Sequence, residues 1–324
     1  MLRSLAMRLV TGAATLFLIT IAVFALAQMA PGDPLEREDD RGYARMSPEQ
    51  RAEFRKVYGL DEPPARRYFA WLGGALHGEL GRSFSDRRPV TEKIAERVGT
   101  TLALNTCSLL LMVLLAVPLG AAAALRPGAL ADRWSGGLTY LLYAVPVFWA
   151  APLLQMVFSV KLGWLPLYGL RSDEATSLAL PSRAADAGLH LVLPVLCLTY
   201  GGLAHLSRFV RANLLESGLR DSALAARARG RSPLGVLVLH GFRQSAVPML
   251  TLAGFLLPAL FGGSVLVESI FALHGLGGLF YDSILARDLP MLLGLTLLSG
   301  SATLLGILAA DFLYVLVDPR VRRG

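Results

Sequence analysis

The chain has 324 residues, of which 54% are hydrophobic and 17% charged, and its mean hydropathy is +0.53. Soluble domains carry about a quarter charged residues, so this composition excludes an ordinary soluble domain and points to a membrane protein. The net charge of +7 is not a nucleic-acid signature, because the charges fall between the apolar runs, where they set topology.

A spanning helix needs about 20 apolar residues. Six runs meet this: Leu9–Met29, Leu102–Leu125, Leu138–Val160, Leu189–Leu206, Val247–Val267 and Met291–Val317. The first also fits a cleaved signal peptide, with basic Arg3 and Arg8 ahead of it and Ala25-Leu26-Ala27 as a small-x-small site. Its apolar core of about 20 residues exceeds the 7–15 of a signal core, so the expectation is a retained helix. Pro118, Pro146, Pro152, Pro194 and Pro258 lie within runs, which lipid tolerates when neighbouring helices satisfy the freed backbone groups.

The segment between the first two runs reads as structured. "SPEQRAEFRKVYGL" offers Ser47 as a cap, Pro48 at the first helical position, Gln50 to complete a capping box and Gly59 as a stop. Tyr68, Phe69 and Trp71 form an aromatic cluster beyond it. Val90, Ile94 and Val98 share one face of a helix leading into the second run, an arrangement expected of an elbow lying along the membrane.

With the N-terminus inside, the inner segments hold 14 basic residues against four acidic ones, and the outer segments 17 against 18. The excess of Lys and Arg predicts that both termini are cytoplasmic.

Between the fourth and fifth runs, "DSALAARARGRSPLG" begins with Asp221 or Ser222 as a cap for a helix from Ala223. Arg227 and Arg229 occupy its last turn, where the helix dipole favours cations, and Gly230 supplies the stop. Ser232 then caps a second helix with Pro233 at its first position, and Gly235 lies just within it. Ala223, Ala226 and Gly230 make one nearly flat face. On the residues alone two readings stand: a helix inserted into a groove on a cytoplasmic partner, or a connector whose arginines bind anionic lipid at about 1 kcal/mol each.

"LAARARGRSPLGVLVLHGFRQSAVPML" resembles the EAA loop of ABC importer permeases of the dipeptide/oligopeptide/nickel class. Ala225, Ala226 and Gly230 match its two alanines and glycine, and His240, Arg243 and Pro248 its longer ending. Leu224 stands where the wider motif has Glu, and Gln244 where Asn is expected. "MAPGDP", "YGLDEPPARRYFAWLGGALHGELGRSF", "PVFWAAPLL", "LGWLP", "VLVESIFALHGLGGLFYDSILARDLPM" and "DFLYVLVDPR" carry the likeness, in order, along nearly the whole chain.

The resemblance implies an all-α membrane protein of six transmembrane helices in the type I ABC importer permease fold, with a structured extracytoplasmic segment between helices 1 and 2. Residues 1–93 would form the first helix and that segment, 94–317 the permease core with a cytoplasmic coupling loop at 207–246, and 318–324 a cytoplasmic tail. It implies a subunit forming half of the translocation pathway for peptides or a related small solute in a bacterial cytoplasmic membrane. Its expected partners are a second homologous permease, two ABC ATPase subunits, an extracytoplasmic substrate-binding protein and membrane lipid, without nucleic acid. The coupling residues would be Ala223, Ala225, Ala226, Arg227, Arg229, Gly230, Ser232 and Gly235.

No G-x-x-x-x-G-K-[ST] loop is present, and the only lysines are Lys56, Lys93 and Lys161. ATP hydrolysis is therefore assigned to other subunits, with no catalytic residue, cofactor or metal expected here. Cys107 and Cys197 lie inside apolar runs, and the histidines are scattered. Two acids remain: Glu268, at the end of the fifth run and read as structural at an outer gate, and Asp311 in the sixth run, read either as a packing residue paired with an Arg or backbone group or as a proton-relay or substrate carboxylate. The rival functions are a proton-coupled secondary transporter, for which one clear intramembrane carboxylate and no internal repeat are poor support, and a non-transporting scaffold.

Overall fold

In the computed structural model, residues 2–29, 47–216, 235 and 259–317 are described, and among them all regular structure is helical, with a lone bridge between Arg82 and Pro89. The helices are α1 (Leu2–Met29), α2 (Pro48–Val57), α3 (Pro64–Leu76), α4 (Val90–Leu125), α5 (Leu130–Ala144), α6 (Val147–Leu154), α7 (Leu180–Glu216), α8 (Val265–Ile270), α9 (Leu276–Leu285) and α10 (Leu289–Val317). Among the described residues, four helices are long and apolar enough to cross a membrane: Ala6–Met29, Val90–Leu125, Leu180–Glu216 and Leu289–Ala309.

The third apolar run is not one straight helix. α5 and α6 meet at Val145-Pro146 with a bend of 94°, and α6 passes into a π-helical stretch at Gln155–Lys161. Pro146 causes the break: it has no N–H to continue the ladder and disfavours helix in Val145. The fifth run lies outside the described residues up to Pro258. Its remainder unwinds after Ala259 and turns helical again only at Val265.

The chain divides into two compact units. One holds Gly99–Gly278 and the end of α10 from Ala302; the other holds Leu2–Val98 and Leu279–Ser301.

In the second of these, α2 is capped as its sequence predicts. Gln50 N donates to Ser47 Oγ at 3.2 Å, Ser47 N donates to Gln50 Oε1 at 2.9 Å, and Gly59 ends the helix at φ +59°. α3 lies on α1: Tyr68 is buried between Phe17 and Phe24, its hydroxyl 2.8 Å from that of Thr20. Trp71 joins this core, while Phe69 stays exposed. Val90 and Ile94 are buried within this unit, while Val98 on the same face is half-buried. A Cβ at Gly294 on α10 would stand 2.6 Å from Val90 Cγ1, with Leu80 and Ile94 behind it. A polar knot running from buried Ser83 and Asp288 out to exposed Asp86 completes the unit: Ser83 donates to Asp288, Lys93 Nζ donates to Ser83 Oγ at 3.0 Å, and Lys93 pairs with Asp86 at 2.8 Å.

In the first unit α4 and α7 cross closely. A Cβ at Gly120 would come within 2.8 Å of Val210 Cβ, the small-residue contact that lets membrane helices approach. Ala116, Ala121, Ala124, Leu203, Leu206, Val210 and Leu214 form the buried core there.

Candidate functional site

α4 carries Thr101, Asn105 and Ser108 at i, i+4 and i+7, one polar seam along an apolar helix. Thr101 and Asn105 are tied by their side chains to other parts of the same unit, whereas Ser108 Oγ donates to Leu104 O on its own helix at 2.7 Å and only its backbone reaches α7. Thr101 Oγ1 donates to Glu268 Oε1 at 3.1 Å and accepts from Leu276 N at 2.8 Å. Asn105 Nδ2 donates to the carbonyls of Ala259 at 3.0 Å, Leu260 at 3.0 Å and Gly262 at 3.2 Å. The Ser108 carbonyl accepts from Thr199 Oγ1 on α7 at 3.2 Å.

Glu268 is 1% exposed. Its second oxygen accepts from Gly278 N at 2.8 Å. The carboxyl group thus holds the loop between α8 and α9 against α4, the kind of pairing that a buried polar group requires. The local sequence makes room for it. A Cβ at Gly275 would lie 2.6 Å from both Thr101 Oγ1 and Glu268 Cδ, and one at Gly263 would run into the backbone of Gly277. Ala272 takes φ +49° to turn the loop back.

The chain breaks elsewhere in this unit are fastened in the same manner. Tyr200 Oη donates to Val145 O at 3.0 Å, filling the carbonyl freed at the α5–α6 bend. Gln155 Nε2 donates to Leu167 O at 2.6 Å and Ile270 O at 3.3 Å, and Gly169 N donates to Phe271 O at 2.9 Å. Towards the C-terminal end of α7, Arg211 forks onto Asp132 of α5, and the Arg208 guanidinium lies 5.0 Å from the Tyr140 ring.

Of the residues singled out in the sequence, Glu268 is therefore central. Asp311 falls on α10, and its side chain lies outside the described residues. Ala223, Ala225, Ala226, Arg227, Arg229, Gly230 and Ser232 also lie outside them, and Gly235 is described as helical. His190 is buried on α7 with its ring 2.8 Å from Asp186 O. No group of three or more His, Cys, Asp or Glu residues able to hold a metal occurs among the described residues. The seam of Thr101, Asn105 and Ser108 was missed, although a T-x-x-x-N-x-x-S spacing inside an apolar run was there to be read.

Two family comparisons cover most of the chain. Residues 116–323 match the binding-protein-dependent transport system inner membrane component, and residues 1–105 match the N-terminal region of such membrane components. The chain belongs to this family. The oligopeptide transport system permease protein AppB of Bacillus subtilis is 36% identical over 304 residues, 94% of each chain. The dipeptide transport system permease protein DppB of Escherichia coli is 33% identical over 321 residues, again 94% of each. A solved chain of the MetNI methionine ABC transporter, in inward-facing conformations, shares the fold at a TM-score of 0.54 and 19% identity, over 70% of this chain and 97% of that one. As a binding-protein-dependent inner membrane component, the chain is a multi-pass permease subunit of an ABC importer, and ATP hydrolysis belongs to partner subunits.

Proposed function

We propose that the chain forms half of the pathway by which an ATP-driven importer carries peptides, or a related small solute, across the bacterial cytoplasmic membrane. One observation carries the solute class: relatives aligned over 94% of the chain are named oligopeptide and dipeptide permeases. The assembly contains a second homologous permease, two ATP-binding subunits and an extracytoplasmic binding protein. The chain spans the membrane six times with both termini in the cytoplasm. The two apolar runs missing from the four long helices are the α5–α6 pair and the run ending at Val267. The charge asymmetry of the loops supports this orientation, and it puts α2, α3 and the α8–α9 loop on the outer side.

The coupling element is Ala223–Gly235. Its flat alanine and glycine face permits close approach, and Gly230 sets the angle between its halves. Glu268 acts as a fastening for the outer gate.

The decisive experiment compares uptake of labelled di- and oligopeptides by a strain lacking this gene and the same strain with it restored. Peptide uptake that depends on the gene and on ATP establishes the reading. Undiminished uptake of every peptide in the deletion strain, with loss of another solute, removes the peptide assignment.

A further inference from the structure

The break at Ala259–Ser264 is fastened less completely than the others. At the α5–α6 bend one hydroxyl serves one freed carbonyl. At the second break the single amide of Asn105 lies within 3.2 Å of three carbonyls, of Ala259, Leu260 and Gly262. An amide nitrogen has two hydrogens, while each carbonyl has two lone pairs. The cluster is therefore an acceptor surplus. Its inner side is closed, because Gly263 presses on Gly277; its other side is open, with Ala259 and Gly262 exposed.

Asn105 lies three residues inside the apolar run that begins at Leu102, about 5 Å along the helix. At the margin of the hydrocarbon, irregular backbone is tolerated only where protein buries it or water reaches it. Two hydrogens cannot fully serve three carbonyls, so a dry contact with an apolar partner would leave one carbonyl oxygen unmet at a cost of about 1–3 kcal/mol. Water or a hydrogen-bond-donating solute meets it.

We infer that the open side of the Ala259–Ser264 break borders the aqueous solute pathway near its outer end, where it presents carbonyl oxygens to N–H-bearing solutes, with Asn105 as the positioning residue that gathers them. The inference rests on the importer reading above.

Two observations make it testable. A Cβ at Gly262 would meet nothing closer than Ala259 O at 3.8 Å, so a cysteine fits there. Native Cys107 is exposed on α4, two residues beyond Asn105 and so on the opposite face of the helix at nearly the same depth. It serves as the depth control. The assembled complex would be prepared twice in lipid vesicles: once with Cys107 as the only cysteine of this chain, and once with Gly262→Cys in a Cys107→Ala, Cys197→Ala background. A charged, membrane-impermeant methanethiosulfonate is the probe, with labelling normalised to the denatured chain and ATPase co-purification checked for each preparation. Gly262→Cys is expected to react at least about tenfold faster than Cys107, because only the former meets water. Equal rates, or a faster Cys107, with the ATPase attached overturn the inference alone. Cross-linking of an otherwise unreactive Gly262→Cys to the second permease also overturns it, in favour of a subunit contact. A parent chain that brings down no ATPase removes the importer reading and the inference with it.

Discussion

Arg211 on α7 grips Asp132 on α5 through two parallel bonds, Nε at 2.8 Å to one carboxylate oxygen and Nη2 at 2.9 Å to the other. The bidentate form adds geometry to attraction. It fixes the last turns of α7, five residues before the described helix ends at Glu216 and the chain continues toward Ala223. Arg211 is about a third exposed, so water screens part of the attraction. Arg211→Ala should cost about 1–2 kcal/mol in thermal unfolding of the purified complex. Arg211→Lys, which keeps the charge and loses the fork, should recover less than half of that. Full recovery by lysine would show that charge alone matters.

Glu268→Ala should be more damaging than Glu268→Gln. Alanine leaves the Thr101 hydroxyl and the Gly278 N–H without their acceptor, at about 1–3 kcal/mol each. Glutamine keeps one acceptor oxygen and sets an amide against the other donor. Gly275→Ala should resemble Glu268→Ala, because its methyl group would displace the same carboxyl. Protease sensitivity of the 270–278 loop in the purified complex checks the series. Equal resistance in all three variants would rule out a fastening role.

Ala226→Trp and Gly230→Val test the coupling element. Overpacking a tight contact costs about 1–3 kcal/mol, and valine is strained wherever the backbone needs φ above zero. Each variant should reach wild-type abundance in membranes, yet lose the co-purifying ATPase or hydrolyse ATP without uptake. Normal uptake by both, with ATPase attached, would reduce Ala223–Gly235 to a connector.

Asp86 gives a pH dependence of known sign. Partial burial acts to raise its carboxyl, but the hydrogen bond from Lys93 and further donors outweigh this and hold it below its ordinary value of 3.8. A depressed carboxylate contributes stability that is fully present above the unfolded value and disappears as pH falls through the folded one. The stability difference between wild type and Asp86→Asn should therefore be flat from neutral pH down to about pH 5 and vanish below the folded value. Unfolding measured in detergent across that range checks it; a difference that grows on acidification would contradict the assignment.

Local signals were legible where neighbours in sequence decide the structure. Ser47, Pro48, Gln50 and Gly59 lie within thirteen residues and fix α2 by themselves. The family was legible because short motifs recur in order along the chain. Long-range geometry was not. The Val90/Ile94 face suits a membrane surface as well as a protein core, and only the absence of a side chain at Gly294, two hundred residues on, admits it to the core. Pro146 announces a disturbance in the third run but not its angle. Thr101 and Asn105 look like tolerated polar residues until the 259–278 segment arrives beside them. Glu268 stood out in the sequence, while its partner on α4 lies 167 residues away.

The length of α7 has a mechanical consequence. Its 37 residues make a rod of about 55 Å, well beyond a hydrocarbon core of about 30 Å. A tilt of only about 5° would carry one tip roughly 5 Å past the other. The end held by Asp132 is the one that leads toward Ala223, so a slight turn imposed there would be carried back along the helix, past Pro194 and His190, toward Leu180.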